Sequence, residues 1–446
     1  MEETIAAVTT PPGEGAIAAI RISGPDAIAV GKKIFSGPVD TYLSHTAHYG
    51  KILGAGGESI DTVLLLVMRA PRSYTGEDCV EIFCHGGMLI KDQILKRIFA
   101  AGARAARPGE FSLRAFLNGK MDLAQAEAVQ RVIAAKSEWA LRAAGQQLEG
   151  ALSKKIASFQ KRLTDFAAIV EASVDFPEEG LEFATPEEMV QNLHALIGDM
   201  RHLQATFHEG KFLHEGLSLC LLGAPNVGKS SLMNALLGKE RAIVTEIAGT
   251  TRDILEEDLR FADLHFKLID TAGIRQTEER IEQEGIRRSR QMMQQADLIL
   301  LILDASRSLT EEDRALMAQV PEEKTIFVWN KTDVASAPER ITGAIEISAE
   351  KLWGLDALRR AIQDRLWKQG TFGKEEVLLT QLRHYEALTR AIGHCEVAVQ
   401  TLQREASPEF TTSDLRAALG ELGLIIGVDV TEDILSSIFS KFCLGK

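Results

Sequence analysis

The sequence predicts a multidomain protein of the α/β-plus-α class, in which an inserted P-loop α/β domain interrupts a discontinuous helical bundle that follows an α/β N-terminal domain. Short apolar segments separated by Gly and Pro clusters predict the first part. Apolar residues at steps of three and four predict the bundle on both sides of the insert. Alternating strand, loop and helix patterns predict the insert itself. The expected divisions are 1–118, 119–214, 215–372 and 373–446.

A chain of 446 residues exceeds one hydrophobic core, which agrees with several domains. Its 45% apolar and 25% charged content is that of a globular protein in water, and no apolar run approaches the ~20 residues of a membrane span. The start MEETIAAVTTPPGEG lacks the basic and apolar segments of a secretory signal, so a cytoplasmic location without membrane contact is expected. Cys79, Cys84, Cys220, Cys395 and Cys443 are scattered and odd in number, as reduced cytosolic thiols are, and the Cys79–Cys84 pair has no second pair with which to hold zinc. The formal charge of −13 means that a nucleic-acid partner would need a local basic patch or a basic helper protein.

In the first region Ala16–Ile22, Val63–Met68 and Cys79–Phe83 read as strands, punctuated by Pro11-Pro12-Gly13, Ser23-Gly24-Pro25 and Gly86-Gly87. After Pro108-Gly109 the pattern turns helical. Leu148, Leu152, Ile156, Phe159, Leu163, Phe166, Val170 and Val174 form one stripe, stopped by Pro177 and Gly180. Thr185, Pro186 and Glu188 begin a further helix that buries Leu193, Leu196, Met200, Leu203 and Phe207. Beyond the insert, Leu382, Tyr385, Leu388, Ile392, Cys395, Val399 and Leu402 repeat the spacing, and a last helix starts at Thr431. Neither helical set covers its own stripe, so the two are expected to pack as one bundle.

The insert opens with the apolar run Ser218–Leu222, followed by Gly223-Ala-Pro-Asn226-Val227-Gly228-Lys229-Ser230-Ser231 and a helix, which is a P-loop in its strand–loop–helix setting. Gly223 and Gly228 free the backbone N–H groups to wrap phosphate, Lys229 faces the outer phosphates and the Ser230 hydroxyl suits Mg²⁺. A P-loop alone fits GTP or ATP equally. Asp270-Thr271-Ala272-Gly273 after the strand Leu264–Ile269 places a carboxylate toward Mg²⁺ and an N–H at the γ-phosphate. Asn330-Lys331-Thr332-Asp333 closes the strand Thr325–Trp329, and the two Asp333 oxygens match the N1–H and N2–H₂ donors of guanine, where adenine offers an acceptor. Ser348-Ala349 follows another strand and offers a backbone N–H to the base edge. These elements, in this order, imply a GTPase. Gly249-Thr250-Thr251-Arg252-Asp253 is the expected first switch, with Thr251 as the second Mg²⁺ hydroxyl; Arg252 reads first as a solvated loop residue and second as an internal arginine finger. Ile274 stands where Ras-like GTPases carry the glutamine that orients water, so another group must do so.

With these motifs the chain combines TIAAVTTPPGEGAIAAIRISG, SYTGEDCVEIFCHGG, ARPGEFSLRAFLNGKMDLAQAEA and a terminal Phe442-Cys443-Leu444-Gly445-Lys446. Over nearly its whole length it resembles the MnmE (TrmE) family of tRNA-modifying GTPases, within the potassium-activated TrmE-Era-EngA type. The resemblance implies a folate-binding-like N-terminal domain that forms a homodimer, and a Ras-like G domain. It also implies a heterotetramer with the FAD-containing partner MnmG, the FAD not being on this chain, and an aminomethyl-type group (aminomethyl or carboxymethylaminomethyl) placed on C5 of the wobble uridine, position 34, of certain tRNAs. The one-carbon unit would come from a 5-formyl- or methylene-tetrahydrofolate. Matching the motifs residue by residue, Arg21, Glu81, Lys120 and Lys446 fall at folate-contacting positions.

The resemblance further implies that K⁺ replaces an arginine finger, held by the Asn226 side chain and by the loop Thr245-Glu246-Ile247-Ala248-Gly249-Thr250, with Thr245, Ile247 and Thr250 as ligands and the G domains face to face. Glu282 matches the glutamate that orients the attacking water through a bridging water, meeting the gap left by Ile274. By themselves Glu282 reads as a solvated helix charge and Asn226 as an ordinary loop residue. Cys443 alone reads as an inert thiol; Lys441 and Lys446 nearby favour a thiolate, and the family match leaves pyrimidine activation and a redox step both open. Glu14, in place of a common arginine, and Cys84, in place of a common glycine, depart from the family pattern around the folate pocket. The rival reading is a ribosome-assembly GTPase switch acting on rRNA, which needs neither such an N-terminal domain nor the terminal Cys-x-Gly-Lys.

Overall fold

A computed structural model of the chain describes residues 3–175, 185–207, 210, 216–239, 258–261, 264–268, 293, 296–367, 377–404, 407–442 and 445. It divides into two compact units: residues 1–130, 147–197 and 387–446, and residues 131–146 with 198–386. None of the described helices is long and apolar enough to cross a membrane.

In the first unit, strands β1 (Ile5–Val8), β2 (Ile17–Ser23), β3 (Thr46–Leu53), β4 (Ser59–Met68), β5 (Cys79–His85) and β6 (Arg104–Ala105) form one sheet in the order β3-β4-β5-β2-β1-β6. Only β1 and β6 run parallel; the other neighbours are antiparallel. Alternation decides which face is covered. Ala18, Ile20 and Ile22 of β2 with Val80 and Ile82 of β5 turn inward, onto a core shared with Val30 and Ile34 of α1 (Ala27–Ile34) and Ile94 and Ile98 of α2 (Met88–Ala101). The two helices cap each other, since Lys33 donates to the last carbonyl of α2 at Ala101 (2.9 Å) and Arg97 donates to the Lys33 carbonyl (3.1 Å). On the opposite face Ile5 and Ala7 of β1 are buried with Phe111 and Tyr74, and this face also carries Arg21 and Glu81.

At the edge of this domain the fully buried Arg114 of α3 (Glu110–Leu117) donates to both oxygens of Glu77 (3.2 and 3.1 Å), to Glu110 (3.0 Å) and to the Glu3 carbonyl (2.9 Å). Glu110 also takes both arms of Arg104 (2.8 and 2.6 Å). Burial pushes the Glu110 carboxyl up, but Arg104, the Arg107 N–H and Arg114 overcome it and bring its pKa down to about 2.

The helices that follow the sheet are α4 (Leu123–Ala134) and α6 (Ala151–Asp175), with α5 (Glu138–Leu148) between them falling almost wholly in the second unit. The stripe expected to run from Leu148 is broken: Gly150 sits at φ +83°, so Leu148 closes α5, and the stripe on α6 begins at Leu152. Leu152, Ile156, Phe159 and Leu163 are buried, each apolar side chain contributing about 1.5–3 kcal/mol. Helix α7 (Pro186–Ala205) begins as expected, Thr185 and Glu188 exchanging hydrogen bonds of 3.0 and 3.2 Å.

Within this unit α6 packs against a helix the sequence did not reveal, α12 (Pro408–Ile426), through Leu415, Ala418, Leu422 and Ile425. Its stripe is diluted by Thr, Ala and Gly, which hides the period. Segments on either side of the insert therefore do share one core. Helix α11 (Leu382–Gln403) buries Leu388, Ile392, Cys395 and Val399, but Leu382, expected inside, is 59% exposed. The last helix, α13 (Glu432–Phe439), places Phe439 beside Leu123, Ala126 and Phe442. A side chain on Gly109, itself at φ +68°, would collide with the Phe439 carbonyl, and one on Gly445 would collide with that of Val8. The C-terminal end thus lies against the end of β1.

In the second unit, β7 (Leu217–Leu222), β8 (Asp258–Phe261), β9 (Leu264–Leu268), β10 (Leu298–Asp304), β11 (Thr325–Asn330) and β12 (Ile345–Glu346) form a sheet in the order β12-β11-β10-β7-β9-β8, antiparallel only between β8 and β9. Helices α8 (Lys229–Lys239) and α10 (Leu355–Trp367) contribute to the core on one face. Helix α9 (Glu311–Gln319) starts with a capping box between Thr310 and Asp313 and leans on the other. Every residue of β10 is buried, as a strand covered on both faces requires. The chain lays β9 on one side of β7 and β10 on the other, and a ligand crevice is expected outside the carboxyl ends of strands at such a reversal.

Glu110→Gln is expected to cost about 3 kcal/mol at neutral pH, from a folded pKa of about 2 against an ordinary value of 4.5. The group's folded pKa is depressed, so this stability is present above about pH 4.5 and fades as pH falls toward 2. Urea melts of both proteins from pH 7 to pH 3 should therefore converge; a gap that stays constant with pH contradicts the assignment.

Candidate nucleotide site

The P-loop leaves β7 at Gly223, whose φ of +149° is matched by a position where any side chain would strike the Ile302 carbonyl. Asn226 takes the left-handed conformation, φ +61°, and is exposed at the crest of the loop. Val227 is buried and anchors the loop in the core. Gly228 again has positive φ, +97°, and a side chain there would overlap Asn330 Nδ2. Lys229 then opens α8, its ammonium drawn across the loop by the carbonyls of Gly223 (2.7 Å) and Ala224 (2.8 Å). Burial lowers its pKa, and the carboxylate of Glu312 works against that shift. Ser230 and Ser231 are exposed on the first turn.

Two further loops come to the same sheet end. Asn330, 2% exposed at the end of β11, donates from Nδ2 to the Val227 carbonyl (2.9 Å) and accepts at Oδ1 from the Ala349 N–H (3.0 Å). One amide thereby ties the phosphate loop to the Ser348-Ala349 loop. That second loop is closed by paired backbone bonds between Ser348 and Trp353 (both 3.1 Å) and by the Ser348 hydroxyl accepting from the Lys351 N–H (3.1 Å). Thr332 fastens the intervening turn by donating twice to the Ile347 carbonyl (3.1 and 2.8 Å). Asp333, half-buried next to it, takes no hydrogen bond among the described residues.

Lys331 sits in the left-handed region, φ +65°, with its ammonium 2.6 Å from Asp304. Asp304, missed by the sequence reading, accepts also from the Ser306 N–H (2.9 Å) and hydroxyl (2.6 Å). Burial would raise its pKa, yet Lys331 and Ser306 hold it below the ordinary carboxylate value. The only sequence signal was an aspartate ending a buried strand. Thr245, Glu246, Ile247, Ala248, Gly249, Thr250, Thr251, Arg252, Asp270, Thr271, Ala272, Gly273, Ile274 and Glu282 lie outside the described residues.

A second cluster occupies the other face of the first unit's sheet, opposite the core under α1 and α2. Arg21 and Glu81 are direct cross-strand partners, joined by Arg21 Nε to Glu81 Oε1 at 2.8 Å. The Arg21 guanidinium also lies over the rings of Tyr74 (4.7 Å) and Phe111 (5.5 Å). Lys120 is exposed and donates to the Pro71 carbonyl (3.0 Å), on the loop that carries Tyr74. Lys446 and Cys443 lie outside the described residues, but the neighbours Phe442 and Gly445 are both buried. Cys79, Cys84 and Cys395 are buried thiols pushed up to about 12, 11 and 12, so none of these three is a ready thiolate.

Two family models match: the GTP-binding protein TrmE N-terminus over residues 4–120 and the MnmE helical domain over residues 123–443. The chain belongs to the MnmE family of tRNA modification GTPases. A "tRNA modification GTPase MnmE" of Protochlamydia amoebophila is 56% identical over 100% of this chain and 98% of that protein. One of the same name from Carboxydothermus hydrogenoformans is 41% identical over the whole of both. Among solved structures, the G domain of the T. maritima FeoB iron transporter aligns with 33% of this chain and 98% of that one, at 26% identity and a TM-score of 0.26.

Gly228→Ala should abolish GDP binding while leaving the fold intact, because the new methyl displaces the Asn330 amide that ties the loops. Equilibrium binding of fluorescent GDP checks this, with circular dichroism as the folding control; wild-type affinity in the variant would contradict it.

Proposed function

We propose that this GTP hydrolase couples its cycle to modification of tRNA, adding with MnmG an aminomethyl or carboxymethylaminomethyl group to C5 of the wobble uridine, position 34. The observation that carries the reading is the Asn330 tie, which joins the phosphate loop at Val227 to the Ser348-Ala349 loop, with Asp333 three residues further along the same turn. Full-length likeness to proteins named tRNA modification GTPase supplies the substrate class.

In this reading Lys229 and the Gly228 and Lys229 amides bind the phosphates, and Asp333 with the Ala349 N–H reads the base. Ser230, exposed on the first turn of α8, would hold Mg²⁺ together with Thr251. Asn226, exposed and turned outward at positive φ, fits a K⁺ ligand alongside Thr245, Ile247 and Thr250. The cation supplies charge that offsets the phosphates during hydrolysis, in place of an arginine finger, while Glu282 orients water. A site between two face-to-face G domains suits a homodimer. The sheet face that carries Arg21 supports pairing too, since Ile17, Leu64 and Tyr49 lie on one surface and are 67%, 47% and 79% exposed.

Arg21 and Glu81, a cation and a carboxylate beside two aromatic rings, fit a flat heteroaromatic with a polar edge such as 5-formyl- or methylene-tetrahydrofolate. The folate supplies the one-carbon unit. Lys120 and Lys446 would bind its acidic tail, FAD would remain on MnmG in a heterotetramer, and Cys443 would activate the pyrimidine or serve a redox step. A cytoplasmic location follows from the tRNA substrate.

Replacing K⁺ by Na⁺ at constant ionic strength in a reconstitution with MnmG is expected to slow GTP turnover at least tenfold. Mass analysis should then find the wobble uridine unmodified. Equal turnover in both salts removes the cation role, and brisk K⁺-dependent turnover with an unchanged nucleoside removes the tRNA chemistry.

A further inference from the structure

Asp304 has no part in the reading above, and its contact with Lys331 of the base loop is closely determined. Asp304 is the last residue of β10 and the direct partner of Asn330 in the parallel pairing with β11. Its side chain is 8% exposed, and its two oxygens have separate tasks. Oδ1 accepts from the Ser306 N–H and hydroxyl, while Oδ2 accepts only from the Lys331 ammonium among the described residues. The Lys331 side chain is 34% exposed, so without a fixed anion its long stem would sample many rotamers in water. Its positive φ turns that side chain back across the end of the sheet, two residues before Asp333.

We propose that Asp304 is a positioning residue of the guanine subsite, pinning the Lys331 ammonium so that the lysine's four-carbon stem forms a fixed wall beside the base. This rests on the reading of residues 330–333 as the base-binding loop. Oδ1 serves the local turn and Oδ2 serves Lys331, so an amide in place of the carboxylate separates the two. Asp304→Asn keeps an acceptor for Ser306 and loses the anionic oxygen that lysine needs.

The test uses the full-length protein and fluorescent GDP and GTP as probes. In Asp304→Asn both affinities are expected to fall about tenfold, because the lost contact concerns the base and not the γ-phosphate. The KM for GTP should rise by the same factor while kcat at saturation holds. Lys331→Ala should show a similar loss, and the double variant should bind no more weakly than Lys331→Ala alone. Wild-type affinity in Asp304→Asn, a drop in kcat without a change in KM, or full additivity in the double variant would each overturn the proposal. Asp333→Asn is measured in parallel: if it alone weakens GDP binding, Asp304 loses its role and the base loop stands. If Asp333→Asn binds GDP as tightly as the wild type, the base-loop reading falls and the proposal with it.

Discussion

The nucleotide site depends on one buried amide. Asn330 spans the gap between the P-loop, whose Val227 carbonyl it meets, and the loop after β12, whose Ala349 N–H it receives. Both groups would otherwise be buried without partners, which costs about 1–3 kcal/mol each. Satisfying them with a single side chain fixes the spacing between phosphate and base subsites. The glycines follow from this constraint: Gly228 has no side chain because the Asn330 amide occupies that space. The central strand β10 then brings Asp304 to the level of Asn330, so that the base loop is braced from its other side.

The first unit is organised by charge as well as by its apolar core. Arg114 is fully buried and is tolerated because Glu77, Glu110 and the Glu3 carbonyl surround it. Ser23 donates to Glu77 at 2.8 Å, which links this network to the end of β2, the strand that carries Arg21. The C-terminal end reaches the same domain, Phe439 against Gly109 and Gly445 against Val8. Val8 and Gly445, from opposite ends of the sequence, are thus neighbours.

How much of this was legible follows from the range over which each signal acts. The P-loop, the base loop and the Thr185–Glu188 cap are local patterns whose chemistry is complete within a few residues, and the described portions fold as those patterns require. The pairing of Arg21 with Glu81 was not legible, because strand alternation gives a face but not the register of strands 60 residues apart. Helix α12 escaped because Thr411, Thr412 and Gly423 are buried among its few large apolar residues. Leu148 was assigned to the wrong helix because periodicity runs through Gly150, whose left-handed backbone ends α5. The role of Asp304 needed the β10–β11 register, which no motif encodes.

The central claim is a pocket that accepts guanine and rejects adenine while a glycine-braced loop holds the phosphates. Calorimetric titration of the purified protein with GTP and with ATP, in Mg²⁺ at physiological salt, tests it most directly. Saturable GTP binding with at least a hundredfold weaker response to ATP is the expected result. Comparable affinity for the two nucleotides, or none for either, would contradict it.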